Sequence, residues 1–131
     1  MVLDTSALVA ILLDEPERPL LTRAIADAPV RALSAAGVLE AGIVLESRLG
    51  EAGGRELDLL LHRAEVAVVP VDVEQAEIAR AAWRRYGKGR HAAALNYGDC
   101  FSYALALARD EPLLFVGEDF ARTDVRSALA R

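Results

Sequence analysis

The sequence predicts a three-layer α/β/α fold, in which a central, mostly parallel sheet lies between helices. Short apolar or β-branched runs alternate along the chain with longer helical patterns, which is the order that βαβ units produce. The chain has 131 residues and contains no repeat, low-complexity tract or Pro/Ser-rich linker. We therefore expect a single domain over residues 1–131, with its functional groups outside the carboxyl ends of the strands.

The first half of the chain is expected to form two strands and four helices. The strands are residues 2–3 and 30–33, and the helices are residues 7–13, 20–28, 34–49 and 55–64. Thr5 or Ser6 is the predicted N-cap of the first helix, and Ser34 is that of the third. Gly50 is predicted to end the third helix, and Gly53-Gly54 to precede the fourth.

The second half continues the same alternation. Residues 66–69 are β-branched and bounded by Pro70, which predicts a short buried strand. A helix over residues 73–86, with Gly87 as its stop, leads into a glycine-rich basic loop at residues 88–91. A helix over 98–109 and a strand over 113–116 complete the pattern, and a polar tail begins at Glu118.

Composition excludes several classes of protein. The single cysteine, Cys100, rules out an intrachain disulfide and a Cys-rich zinc site, and hence a deaminase or zinc hydrolase. The N-terminus lacks the basic start of a signal peptide, and no apolar run is long enough to cross a bilayer. We therefore expect a cytoplasmic protein with no membrane partner.

Three carboxylates stand out because each is isolated in an apolar stretch. Asp4, Glu40 and Asp99 are the only charged residues within residues 1–13, 32–45 and 92–108 respectively. Each acid taken singly has a simpler explanation. Asp4 could cap a helix, and Glu40 could be a partly exposed acid on a helix. Asp99 could be stabilised by the macrodipole at a helix N-terminus. Taken together, three such acids without isolated bases indicate a site for a hard divalent cation such as Mg²⁺. Asp119 is a weaker fourth candidate, because it stands beside Glu118 in a polar turn.

The net charge of −5 is unusual for a nucleic-acid binder, but the basic residues cluster. No acid occurs between Glu77 and Asp99, and the candidates for RNA contacts in this stretch are Arg84, Arg85, Lys88 and Arg90. A solvated helix face would also explain part of this cluster. Trp83 and Tyr86 could stack on bases, although packing in the core is the favoured interpretation for both.

Three short motifs, in order, resemble those of the PIN domain, and the whole chain resembles the VapC toxins of type II toxin–antitoxin pairs. The motifs are Val2-Leu3-Asp4-Thr5-Ser6-Ala7, Ser34-Ala35-Ala36-Gly37-Val38-Leu39-Glu40 and Asn96-Tyr97-Gly98-Asp99-Cys100. Residues 86–91 also resemble one VapC subgroup.

Many PIN domains end the last strand with Thr-x-Asp-x-Asp-Phe, whereas this chain has Phe115 in the place of the Thr and Gly117 in that of the first Asp. Asp119 keeps the second acidic place, so the fourth carboxylate is Asp119 or, less favoured, Glu118.

The resemblance implies an endoribonuclease that depends on Mg²⁺ or Mn²⁺. Asp4 and Asp99 would be the main metal ligands, and Glu40 would bind through water or orient the attacking water. The resemblance also implies a cognate VapB-type antitoxin, a homodimer, and transfer or ribosomal RNA as substrate. The alternative is a PIN-like RNA-binding module without activity.

Two other enzyme classes place an Asp after the first parallel strand. A phosphatase of the haloacid-dehalogenase type needs a second Asp two residues later, where this chain has Ser6. A receiver domain needs a late lysine, and no lysine follows Arg90. Neither class fits.

Overall fold

A computed structural model describes residues 1–129 of the chain. Within them, the elements in chain order are β1 (Val2–Leu3), α1 (Thr5–Leu12), α2 (Arg18–Asp27), β2 (Ala32–Ser34), α3 (Ala35–Leu49), α4 (Glu51–Arg63), β3 (Ala67–Val69), α5 (Val73–Tyr86), α6 (Tyr97–Arg109) and β4 (Leu113–Leu114). A 3₁₀ turn at Phe120–Arg122 follows β4. The predicted order of helices and strands is confirmed, and most boundaries agree to within a few residues.

The four strands form one parallel sheet in the order β3-β2-β1-β4. Val2 of β1 is in register with Ala32 of β2 on one side and with Leu113 of β4 on the other. The carboxyl end of β1 therefore lies between the ends of β2 and β4. Asp4, which follows β1 directly, is placed at the centre of that edge of the sheet.

Two hydrophobic clusters cover the two faces of the sheet. Successive residues of a strand point to opposite faces, and accordingly Val2 packs with residues of α5 and α6, whereas Leu3 packs with residues of α1 to α4. Both side chains are fully buried. The α/β/α layering expected from the sequence is confirmed.

The prediction that residues 66–69 form a buried strand is wrong about burial. The strand β3 is present, but Ala67 and Val68 are exposed, Val68 to 47% of its surface. The reason is its position, because β3 pairs only with β2 and forms an edge of the sheet. A β-branched run indicates a strand, but it does not say how many neighbours that strand has.

The prediction that Gly53-Gly54 precedes the fourth helix is also wrong. Helix α4 begins at Glu51, directly after Gly50, whose φ of 69° ends α3. Gly53 lies inside α4 because a side chain there would collide with α3: a Cβ would stand 2.4 Å from the carbonyl oxygen of Leu45. This glycine therefore allows close packing of two consecutive helices.

Among the described residues, none of the helices has the length and apolar character that a membrane crossing requires.

Gly53→Ala is expected to destabilise the protein, although alanine is the better helix former. The new methyl group would force α3 and α4 apart, lowering the free energy of unfolding by about 1–3 kcal/mol. Gly42→Ala is the matched control, because a Cβ at Gly42, in α3, meets only the Glu46 carboxylate at 3.9 Å. It should raise the free energy of unfolding by up to about 1 kcal/mol. Urea denaturation of both variants at equal protein concentration measures the difference, and equal stabilities would contradict this account.

Candidate active site

Asp4 is the most deeply buried acid of the site, with 3% of its surface exposed. Its Oδ2 accepts hydrogen bonds from the backbone N–H of Ser6 at 3.0 Å and from the Ser6 hydroxyl at 2.6 Å. Asp4 is therefore the N-cap of α1, and the predicted caps Thr5 and Ser6 lie inside the first turn instead. The helix begins at Thr5, two residues before the predicted start at residue 7, so the acid itself occupies the capping position.

The other oxygen of Asp4 is held by a residue that is distant in sequence. Ser102 of α6 donates its hydroxyl hydrogen to Asp4 Oδ1 at 2.5 Å. The Ser6 hydroxyl, in turn, accepts a hydrogen bond from the backbone N–H of Val116, just after β4, at 3.0 Å. Hydrogen bonds around Asp4 thus connect the ends of β1 and β4 to α6 and fix the orientation of its carboxylate.

Asp99 lies in the first turn of α6 and forms a capping box with Asn96. The Asn96 N–H donates to Asp99 Oδ2 at 3.0 Å, and the Asp99 N–H donates to Asn96 Oδ1 at 2.9 Å. Burial nevertheless raises the pKa of Asp99 to about 6, against the opposing effect of the Asn96 hydrogen bond. The negative charges of Asp4, Asp119 and Glu40 raise it further. Asp99 therefore completes the capping box of Asn96, but it also lies within a group of like charges.

Glu40 reaches the first turn of α6 from α3. Its carboxylate occupies the space that a side chain at position 98 would need, since a Cβ on Gly98 would stand 1.9 Å from Glu40 Oε2. The absence of a side chain at Gly98 therefore provides a cradle for Glu40 beside Asp99. The structure places Glu40 against the same turn of α6 that carries Asp99.

Asp119 is exposed in the turn that follows β4, next to the 3₁₀ turn. Its charge acts on Asp99, as described above. Gly117, two residues earlier, has a φ of 101°, a backbone conformation that favours glycine. This explains why a glycine stands where many PIN domains have an acid.

The four carboxylates lack basic partners. Within residues 1–129, none of them lies at ion-pair distance from a Lys or Arg side chain. In that same part of the chain, no three His, Cys, Asp or Glu side chains are already gathered closely enough to hold a metal ion together. The hydrogen bonds from Ser6, Ser102 and Asn96 hold the carboxylates of Asp4 and Asp99 in separate orientations.

An oxygen-only set of this kind nevertheless fits a hard divalent cation. Mg²⁺ is commonly bound through one or two carboxylates while its remaining ligands are water. Asp4 and Asp99 could supply the carboxylates, and Glu40 in the Gly98 cradle could bind through water. The chemistry of these residues therefore fits Mg²⁺ without requiring every acid to touch it.

The predicted RNA-contact residues lie at the end of α5 and in the loop after it. Arg85 pairs with Asp124 at 3.6 Å and lies over the Tyr86 ring. Arg90 lies over the Trp83 ring and donates to the carbonyl oxygen of Arg84 at 3.1 Å, and Lys88 is exposed. Packing in the core is confirmed for Tyr86, which is buried, but it is wrong for Trp83, which is 45% exposed.

Sequence reasoning assigned no site role to Ser102 or Gly98. Ser102 follows Asp99 by three residues, so both lie on one face of α6, and that spacing could have revealed it. Gly98 stands inside a helix beside an acid, where glycine is unfavourable unless close packing requires it.

Comparison with known proteins gives a consistent result. The sequence profile of the PIN domain matches residues 1–126. A ribonuclease VapC of Mycolicibacterium smegmatis is 68% identical over 125 residues, which cover 95% of this chain and 97% of that protein. Ribonuclease VapC30 of Mycobacterium tuberculosis is 58% identical, with 95% of each chain covered.

Solved structures share the fold at low sequence identity. The crystal structure of VapC20 of Mycobacterium tuberculosis, described as a sarcin-ricin loop cleaving toxin, superposes with a TM-score of 0.78 at 19% identity and 95% coverage of both chains. A toxin–antitoxin complex from Klebsiella pneumoniae gives a TM-score of 0.72 at 18% identity, covering 94% of this chain and 92% of the other. With the profile match and the high identities above, these likenesses lead to one assignment: the chain belongs to the PIN domain family and, within it, to the VapC ribonucleases.

Proposed function

We propose that this chain is the toxin of a type II toxin–antitoxin pair and cleaves RNA as a Mg²⁺-dependent endoribonuclease. The observation that carries the proposal is the set of acids at the carboxyl edge of the sheet. Asp4, Glu40 and Asp119 all raise the pKa of Asp99, and no basic side chain among residues 1–129 offsets them at ion-pair distance. A divalent cation would offset the repulsion that raises the pKa of Asp99.

Each acid has a distinct role in this proposal. Asp4 and Asp99 are the main ligands, with Asp4 pre-oriented by the hydroxyls of Ser6 and Ser102. Glu40 binds through water or orients the attacking water, and Asp119 is the fourth carboxylate in preference to Glu118, because its charge acts on Asp99. When bound, Mg²⁺ lowers the pKa of water and offsets the negative charge that develops on the phosphate.

The partners follow from the relatives. The Klebsiella pneumoniae structure is a toxin–antitoxin complex, which supports a VapB-type antitoxin for this chain. VapC20 cleaves the sarcin-ricin loop, which supports structured transfer or ribosomal RNA as the substrate class. Leu39 and Ile43 on α3 are 67% and 58% exposed, so this helix offers apolar surface to a homodimer partner.

Asp4→Asn and Asp99→Asn are each expected to lower the rate of RNA cleavage by roughly a thousandfold, since they remove a charge that holds the cation. The measurement is cleavage of a panel containing transfer RNA and ribosomal stem-loops, with Mg²⁺, Mn²⁺ or EDTA. Asp58→Asn, an exposed acid of α4, is the control and should cleave like the wild type. Full activity of the site variants, or cleavage in EDTA, would overturn the mechanism. RNA binding without any cleavage by the wild type would indicate the inactive RNA-binding module instead.

Gly98→Ala is expected to reduce cleavage while leaving the fold intact. The new methyl group would displace the Glu40 carboxylate, which is the mobile end of a long side chain, so folding loses little. We expect a loss of roughly tenfold to a hundredfold in rate, the usual effect of disturbing groups that position a metal site. Gly42→Ala is the matched control, because a Cβ at Gly42 on α3 would have only the Glu46 carboxylate within 4 Å.

A double variant shows whether the effect of Gly98→Ala passes through Glu40. In an E40A background the carboxylate is already gone, so Gly98→Ala should cause no additional loss of rate. Additive losses would mean that Gly98 acts by another route.

Mg²⁺ is expected to stabilise the protein more at about pH 7 than at about pH 5. The folded-state pKa of Asp99, about 6, is above its usual value of 3.8, so the folded protein holds this proton more tightly than the unfolded chain does. Without metal, this acid therefore causes stability to decrease as the pH rises from about 4 to about 6. The cation requires the ionised acid and competes with the proton.

The measurement is the thermal midpoint in Mg²⁺ and in EDTA at both pH values. Asp99→Asn should remove most of the pH dependence of the Mg²⁺ effect, because the variant has no proton to release at this position. An equal Mg²⁺ effect at both pH values in the wild type would argue against Asp99 as a ligand.

A further inference from the structure

An open cleft of about 740 Å³ lies between α5 and the first turn of α6, beside the acidic site. Its floor consists of small side chains, those of Ala76, Ala79 and Cys100, and its walls are the rings of Trp83 and Tyr97. None of the candidate metal ligands lines it. The volume falls within the range of about 300–1,000 Å³ that is usual for sites that bind small groups.

The two rings in the walls are exposed, and each contacts a neighbouring side chain. Trp83 is 45% exposed and Tyr97 is 81% exposed. The Arg90 guanidinium lies 4.9 Å from the centre of the Trp83 ring, and the ring edge lies over Gly87, where a Cβ would stand 2.6 Å from Trp83 Cδ1. Tyr97 packs edge-to-face with Phe101 at 4.9 Å. Rings that are already ordered lose little conformational entropy when a planar group stacks on them.

The rim of the cleft is positively charged. Arg80 and Arg84 both line it and stand four residues apart on α5, a spacing at which like charges repel. The Glu77 carboxylate lies 3.7 Å from the Arg80 guanidinium, but both side chains are mostly exposed, so this ion pair is weak. No acid follows Glu77 in the sequence until Asp99. Aromatic walls with a cationic rim suit a ligand that is planar and anionic, as a nucleotide is.

The cleft is also close to the site of cleavage. Tyr97 precedes Asp99 by two residues in the same turn of α6. The Tyr97 wall of the cleft and the Asp99 carboxylate therefore lie on two sides of one helix end, and a helix with its side chains is about 10 Å wide. A nucleotide adjacent to the phosphate at the acids can therefore reach the cleft.

We propose that this cleft holds an unpaired base of the RNA substrate, stacked against Trp83 and Tyr97, with its phosphate at Arg80 and Arg84. The base belongs to a nucleotide next to the bond that is cut. This inference rests on the proposed ribonuclease function and adds a requirement to it, namely that the RNA be single-stranded or looped out at that position, because a base held in a duplex cannot enter. A second copy of the chain could also cover apolar rings, and the titration below distinguishes it from RNA.

Trp83 is the only tryptophan of the chain, so its fluorescence reports on the surroundings of this one ring, which are the cleft and the Arg90 guanidinium. The protein is titrated in EDTA, which prevents cleavage, with an RNA stem-loop and with a perfect RNA duplex, both end-labelled for anisotropy. We expect saturable quenching of Trp83 by the stem-loop and none by the duplex. Stem-loop binding without quenching, equal quenching by both RNAs, or no binding at all would overturn the proposal. A signal that depends on protein concentration and not on RNA would identify a second copy as the occupant and would also overturn it.

Variants of Tyr97 test the stacking directly, since this exposed side chain contributes little to the fold. Tyr97→Ala should weaken stem-loop binding by roughly tenfold to a hundredfold, the effect usual for one stacked base, and Tyr97→Phe should bind like the wild type. Leu20→Ala, on α2, removes a side chain that is 56% exposed elsewhere and should leave affinity unchanged. Equal affinity of Tyr97→Ala and Leu20→Ala would refute the stacking.

Cleavage assays separate the two proposals. If the wild type cleaves RNA with Mg²⁺ while Tyr97→Ala has an unchanged KM, the ribonuclease function stands and the cleft inference fails. If the wild type does not cleave but Trp83 is quenched by the stem-loop, base binding in the cleft stands, whereas the proposed ribonuclease function and the position of the base beside a cut bond both fail.

Discussion

The hydrogen bonds around Asp4 connect the ends of β1 and β4 to the helices α1 and α6. One oxygen binds the Ser6 N–H and hydroxyl and the other binds the Ser102 hydroxyl, so a single carboxylate joins the start of α1 to the second turn of α6. Ser6 extends the connection to the N–H of Val116 after β4. A buried acid is costly unless its oxygens are satisfied, and here the groups that satisfy it also bring the ends of two adjacent strands together.

Around this fixed point the chain gathers charges of one sign. Asp99 and Glu40 come from different helices, and Asp119 comes from the turn after β4, yet the charges of Glu40, Asp119 and Asp4 all act on Asp99. Without a cation this arrangement opposes folding, and the two hydrophobic clusters on either side of the sheet supply the free energy that keeps it in place. The charges of the site thus lower the free energy of unfolding, and the hydrophobic core compensates for that loss.

The sequence was sufficient for the fold class, and it singled out the acids whose charges the structure brings within reach of Asp99, because both depend on local patterns. Alternating apolar runs indicate βαβ units, and an isolated acid in an apolar stretch is visible without a structure. Contacts between distant segments could not be read in this way. Ser102 binds Asp4 across a separation of 98 residues in sequence, and Gly53 is explained only by the Leu45 carbonyl. Trp83 was expected in the core because a helical pattern does not show which face lacks a partner. The exposure of Val68 likewise depends on the order of strands in the sheet.

The exposed edge at β3 has a consequence for the behaviour of the protein in solution. An unpaired strand edge is a template on which another chain can add a strand, and long, apolar edges lead to aggregation. Here the edge strand is three residues long, and Pro70, which has no N–H to donate, follows it directly. The edge therefore offers too few consecutive hydrogen-bonding groups to recruit a neighbour. The chain can leave valines exposed there and still resist edge-to-edge association at high concentration.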